Sequence, residues 1–232
     1  MLARLLVAGS GVKKDAVRGS ALLAEACARK EFEACADLGL LLARGDGVKP
    51  DPARAGALLG PACDAGNPRA CNALGMLLEK GMGMAADPVR ALQRYERACN
   101  AQLGVGCLNV AVVYARGTGV PRDDGKAAGF LEKGCQLKEP EACNALGAML
   151  ADGRGGKADA ARAMTLFRQA CSGGYQAACK NVVVKLEQRC TEKEAAACRE
   201  LADSAGNPEV RAALLKRACD AGDAAACAIG TR

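Results

Sequence analysis

The stretch Cys63-Asp-Ala-Gly-Asn-Pro-Arg-Ala-Cys71 sets two cysteines eight positions apart around a Gly-Asn-Pro turn. The same gap separates Cys27 from Cys35, Cys99 from Cys107, Cys135 from Cys143, Cys171 from Cys179, Cys190 from Cys198 and Cys219 from Cys227. All 14 cysteines of the 232-residue chain belong to such pairs. The first cysteines of the first five pairs lie at 27, 63, 99, 135 and 171, so each step is 36 residues. A fixed period of this size restricts the chain to stacked supersecondary units, each touching its neighbours.

Aligning the units on the second cysteine gives columns with physical meaning. Leu38, Leu74, Val110 and Leu146 recur three residues after it, and Leu42, Leu78, Tyr114 and Leu150 seven after it. That spacing is one apolar face of a helix, termed A. Between them stand Gly39, Gly75, Ala111 and Gly147. A tiny residue in a buried helix column costs propensity, so it marks a close helix–helix approach. Two glycines follow in every unit: Gly45 and Gly47, Gly81 and Gly83, Gly117 and Gly119, Gly153 and Gly155. They are expected to end helix A, at least one of them at positive φ. Asp51, Asp87, Asp123 and Asp159 then read as N-caps of a second helix, B, with Pro52 and Pro88 at its first position. Ala55, Ala91, Ala127 and Ala163, then Leu59, Tyr95, Leu131 and Phe167, give helix B its buried face.

The paired cysteines therefore sit at the end of one helix B and the start of the next helix A. A short turn brings these ends together, within the 4.4–6.8 Å between Cα atoms that a disulfide needs. Cysteines of successive repeats are spaced by stacked helices, roughly 8–10 Å apart. Seven bridges, each across eight residues, are the expectation. Metal binding is the rival reading, but zinc ligands usually lie two to four residues apart and often include His, which this chain lacks. Free buried thiols are the third. Bridges imply an oxidising compartment, secreted or periplasmic, and they compensate for a core with only three Tyr, three Phe and no Trp.

The expected fold is all-α: an α/α solenoid of antiparallel helix pairs, about six 36-residue repeats, disulfide-stapled and wound as a right-handed superhelix. It is read as a single array over residues 1–232, regular to about 176 and irregular over 177–232. In that last part short helices are expected near 176–189, 194–204 and 208–220. At the other end Gly9, Gly11, Val12, Asp15 and Cys27 match the repeat, but most of the preceding helix A is absent, so the chain reads as a fragment. The opening residues are too short for a signal peptide. No apolar run approaches the roughly 20 residues of a membrane span.

The columns resemble the Sel1-like repeat family, through the period, Leu38-Gly39, the Gly45–Val48 loop, Asp51 and Ala55. The likeness is strong over roughly residues 2–180. The paired cysteines look like its cysteine-rich, secreted bacterial subfamily. The resemblance implies a scaffold for protein–protein contact. It also imports an alternative, since some cysteine-rich members are described as penicillin-binding proteins or weak β-lactamases, which brings a β-lactam in as a ligand.

The residues themselves carry little catalytic chemistry. With no His, His-based triads and Cys–His dyads are impossible. Ser10-Gly-Val-Lys13 fits S-x-x-K, but it occupies the loop where the next unit has Asp46-Gly-Val-Lys49, and no S-D-N or K-T-G follows. The Gly-x-Gly loops lack the strand and the Gly-Lys-Ser/Thr of a phosphate cradle. No cofactor and no metal are expected. The formal charge of +6 is scattered, without the basic stripe and aromatics of a nucleic-acid surface. A redox role would centre on Cys190 and Cys198 in the irregular segment, although Cys-x-x-Cys is missing. The candidate ligand groove is the outward face of helix A. Its fifth-position row is Leu40, Met76, Val112 and Ala148. Its ninth-position row is Arg44, Lys80, Arg116 and Asp152. An apolar row beside a mostly basic one suits a peptide with acidic residues. The competing account has the fifth-position side chains packing between neighbouring A helices.

Overall fold

A computed structural model describes residues 2–230. In chain order the helices are α1 (Leu2–Ala8), α2 (Ala16–Ala28), α3 (Phe32–Arg44), α4 (Pro52–Asp64), α5 (Pro68–Lys80), α6 (Pro88–Asn100) and α7 (Gly104–Arg116). There follow α8 (Asp124–Gln136), α9 (Pro140–Ala151), α10 (Ala160–Ser172), α11 (Gln176–Thr191), α12 (Ala195–Ser204), α13 (Pro208–Asp220) and α14 (Ala224–Gly230). No strand occurs among the described residues. Helices adjacent in sequence pack on one another, and A helices of successive units also touch, α3 on α5 and α7 on α9. The result is an all-α array of helix hairpins.

Within each unit the A–B connection is built as the columns require. Gly45, Gly81 and Gly117 cap their helices at φ 74°, 65° and 73°, and Gly47, Gly83 and Gly119 are also left-handed. The chain then returns, and the next aspartate ties itself to both helices. Asp51 N–H donates to Leu42 O at 3.0 Å, while its side chain accepts from Arg54 N–H. Asp15, Asp87, Asp123 and Asp159 repeat this cap. The small column has a steric cause as well. A Cβ on Gly39 would stand 2.6 Å from Leu59 Cγ, on Gly75 2.6 Å from Tyr95 Cε1, and on Gly147 2.9 Å from Phe167 Cε1. At each of these three positions an added methyl would crowd the facing side chain on helix B.

All seven cysteine pairs are joined: Cys27 to Cys35, Cys63 to Cys71, Cys99 to Cys107, Cys135 to Cys143, Cys171 to Cys179, Cys190 to Cys198 and Cys219 to Cys227. Their Cα atoms lie 4.5–4.7 Å apart. The second cysteine enters the core at the start of helix A, and Cys35, Cys71, Cys107, Cys143 and Cys198 are all buried. The turn between the partners has one demanding position, three residues after the first cysteine. It is left-handed in every case: Lys30, Gly66, Gln102, Lys138, Gly174, Lys193 and Gly222. The N–H of the following residue bonds back five residues, as from Asn67 to Ala62 O at 3.0 Å, which satisfies an otherwise orphaned carbonyl. Glycine is thus not obligatory. The turn from Cys190 to Cys198, which lacks Gly and Pro, uses Lys193 as other turns use Lys30 and Lys138.

After α10 the frame changes. The sequence predicts shorter helices for that segment than for the earlier units. The three helices lie where they are expected to within two residues, but they are not all shorter: α11 spans 16 residues and is the longest of the described helices, α13 keeps 13, and α12 has 10. The reason is the missing glycine pair: Arg189 and Thr191 stand where Gly153 and Gly155 stand one unit earlier. Nothing stops the helix there, so α11 runs on to a disulfide turn of its own. It begins like a helix A, with Cys179 in its first turn, and ends like a helix B, with Cys190 in its last.

Candidate functional site

The outward face of the A helices is assembled from side chains one repeat apart. Asp37 on α3 accepts from Arg4 on α1 and from Arg69 on α5, the latter at 3.0 Å, with its own side chain only 9% exposed. Leu40 and Arg44 share with these residues a depression of about 270 Å³. Farther along, Asn109 donates to Asn72 at 2.7 Å, and Asn181 to Asn144 at 2.8 Å, joining α5 to α7 and α9 to α11. Ala148 and Asp152 line a second hollow with Asn181, Val184 and Lys185. These amide pairs escaped the column reading because each spans 37 residues, not 36, so the partners fall in neighbouring columns.

The two candidate rows fare differently. Leu40 and Val112 are partly buried against the core, Ala148 is half-buried, and Met76 alone is well exposed, at 42%. The fifth-position row is thus largely engaged between helices. In the ninth-position row all four residues are exposed. Arg44, Lys80 and Arg116 also make no ion pair among the described residues. Most other arginines that face a neighbouring unit are committed: Arg94 and Arg97 to Asp64, Arg154 to Asp124, Arg162 to Glu132, and Arg168 to Glu200.

Pairs within and between units together set the titration behaviour. Hydrogen bonds from Arg122 and Arg154 hold Asp124 down at about 2, and those from Arg94 and Arg97 lower Asp64. Burial, and next the bond to Glu79, raises the Tyr95 hydroxyl, which donates to Glu79 at 2.7 Å. A depressed carboxylate supports the folded state above its unfolded value, and that support is lost as pH falls through the folded one. For Asp124 the window runs from the usual aspartate value of 3.8 down to about 2. Arg154→Ala is expected to move Asp124 upward in an NMR pH titration, with Arg122 keeping it below the ordinary value. An unmoved titration would refute the inter-unit pair.

Ser10 and Lys13 lie in the loop built on Gly9 and Gly11 at φ 74° and 75°. That loop is not the helical turn that sets residues three apart on one face. The pair that a redox role would use is bridged and enclosed, with Cys190 and Cys198 at 3% and 0% exposure. Thiol–disulfide exchange needs a sulfur that an attacking thiolate can reach, so this pair is placed as a staple. Among the described residues no cluster of His, Cys, Asp and Glu is arranged to hold a metal, and no helix is long and apolar enough to cross a membrane.

Fold and surface together define a disulfide-stapled helical-repeat scaffold, with polar ladders between units and free cations on its A face. The Sel1 repeat model matches residues 1–30, 32–67, 68–103, 104–138 and 140–175. The chain belongs to the Sel1 repeat family. No curated protein matches the sequence. Among solved structures, a protective antigen of uropathogenic Escherichia coli with an SLR fold is 23% identical at TM-score 0.72, over 99% of this chain and 54% of that one. The chain thus spans about half the length of that protein. A Sel1 repeat protein from Oxalobacter formigenes is also 23% identical, at TM-score 0.70, over 95% and 85% of the two chains. A putative Sel1 repeat protein from Klebsiella pneumoniae gives 22% and 0.54, over 78% and 88%. These likenesses show the fold. Sel1 repeats are in general scaffolds for protein–protein contact, and the seven intrachain disulfides point to an oxidising, extracytoplasmic environment.

Proposed function

We propose that this chain is a non-catalytic scaffold that binds a protein or peptide segment carrying acidic residues along the face of its A helices. One observation carries the reading: Arg44, Lys80 and Arg116 recur 36 residues apart, exposed and without an ion pair among the described residues. A charge left unpaired on three successive units is a periodic surface, and an extended segment can meet it repeatedly. Met76 and the Leu40 depression supply apolar contact beside it. No geometry favours the β-lactam alternative.

The test begins with a partner captured from the native extracytoplasmic fraction. Its affinity is then compared for the wild type and for Arg44→Glu combined with Arg116→Glu. Reversing two charges is expected to weaken binding about tenfold or more and to flatten its salt dependence. Unchanged affinity would remove the basic row from the binding surface.

A further inference from the structure

The break after α10 leaves a space that every earlier unit fills. In those units the second loop glycine lies against the first residue of the preceding helix B. A Cβ on Gly47 would stand 2.7 Å from Ala16 Cβ. On Gly83 it would stand 2.3 Å from Ala53 N, on Gly119 2.8 Å from Pro88 Cγ, and on Gly155 2.4 Å from Asp124 O. In three of these four loops the residue after that glycine adds an apolar side chain, and Val48, Met84 and Val120 all pack partly buried against the core; in the fourth it is Gly156. The equivalent first residue of α10 is Ala160, and no such loop covers it, because α11 continues as helix through Thr191. Ala160 and Ala161 are exposed. They line a cavity of about 500 Å³ whose floor includes Met164 and Phe167, 5% and 3% exposed.

A second departure falls on the same cavity. Six residues after the second cysteine the array buries an apolar side chain: Leu41, Leu77, Val113 and Met149, at 2–5% exposure. The next unit has Lys185 there. Lys185 is half-buried, lines this cavity, and has no ion pair among the described residues. Of the two carboxylates in the lining, Glu194 is paired with Arg189 and Glu192 accepts from Gln188 at 3.3 Å.

We propose that this slot is a peptide-binding site for a partner segment that inserts one apolar side chain over Met164 and Phe167 and sets an adjacent carboxylate on the Lys185 ammonium. The occupant's backbone is a glycine turn, because that is what fills the equivalent space four times in this chain. Its apolar residue takes the place of Val48, Met84 or Val120. Its acid meets the one lysine that interrupts a buried apolar column. The slot shares Lys185 with the hollow beside Asp152 but includes none of Arg44, Lys80 and Arg116, so its test is separate from that of the basic row.

The probe is an acetylated, amidated peptide copying residues 43–50, Ala-Arg-Gly-Asp-Gly-Val-Lys-Pro, which holds the glycine turn, the apolar residue and a carboxylate. Saturable binding to the intact, oxidised protein, with a Kd below about 1 mM by NMR shift titration, is expected. Replacing the peptide's valine by serine should abolish it. Ala161→Trp fills the slot from an exposed position and should abolish it as well. Gln188→Trp, exposed on another wall, repeats that block if the first variant folds poorly. Lys185→Gln should weaken the parent peptide about tenfold, yet leave unchanged a peptide whose aspartate is asparagine. Absence of saturation, binding untouched by both tryptophans, or equal weakening of both peptides by Lys185→Gln would overturn the proposal.

Discussion

Reduction of the seven disulfides is expected to unfold this protein at 25 °C. Each bridge closes a loop of about nine residues, which the chain-entropy relation places near 2.5 kcal/mol. Folded domains retain only about 5–15 kcal/mol in total. Taken in full, seven such terms come to about 17 kcal/mol, above that whole margin, and halved for non-additivity they still amount to about 9 kcal/mol, most of what a typical domain retains. The core offers no reserve: its large fully buried side chains are one tyrosine, one leucine, one valine and four cysteines, Cys99, Cys107, Cys143 and Cys198. The cysteines are themselves core, so reduction also frees apolar surface. Loss should proceed from the ends. Cys27 in the first bridge and Cys219 and Cys227 in the last are partly exposed, whereas Cys99 and Cys107 near the middle have no exposure. Circular dichroism at 222 nm after phosphine treatment, followed by alkylation and peptide mapping over time, reads both effects. A reduced chain that keeps its cooperative transition within a few degrees of the oxidised one would show that packing alone holds the array.

The regular part of this fold was legible because each column has a single physical cause. A glycine at 39, 75 and 147 faces a large side chain on helix B, and an aspartate at 51, 87, 123 and 159 caps it. Such causes repeat every 36 residues and survive inspection of the sequence alone. Two things did not. The Asp37 bridge and the asparagine pairs link units at separations of 32, 33 and 37 residues, since stacked helices are offset rather than in register. They are invisible to a strict column alignment. The span of α11 is legible to within two residues, near 176–189 against Gln176–Thr191, and what the sequence understates is its length relative to the other helices, because the absence of a stop signal is harder to weigh than its presence. Arg189 and Thr191 carry no message of their own; only the glycines they replace do. The slot at Lys185 follows from that same absence, and so from a property that belongs to neither helix separately.

Gly83→Ala is expected to be among the most damaging single substitutions outside the cysteines, and Gly11→Ala supplies its control. Both glycines are left-handed, at φ 70° and 75°, and both hold the second position of a Gly-x-Gly loop. An alanine in that conformation costs about 1–2 kcal/mol wherever it stands. At Gly11 the story ends there, since nothing lies within 4 Å of the added Cβ. At Gly83 the Cβ would meet Ala53 N at 2.3 Å, Pro52 C at 2.4 Å and Ala53 Cα at 2.7 Å. All three are backbone atoms at the start of α4, held by the Asp51 cap, so no side-chain rotation relieves the contact. The loop must lift away from the preceding unit and take Met84 with it, off Gly56, whose own Cβ would lie 2.3 Å from Met84 Cε. Overpacking of this kind adds about 1–3 kcal/mol, for a total of about 3–5 kcal/mol against about 1–2 kcal/mol at Gly11. Because stability in a stacked array is a sum of unit and interface terms, the weakened junction should also divide the array. Urea unfolding with the disulfides intact is then expected to show one transition for Gly11→Ala and two, each with a smaller slope, for Gly83→Ala. Equal midpoints for the two variants would mean that the loop is only a turn, and that the close fit of one unit on the next contributes nothing to holding them together.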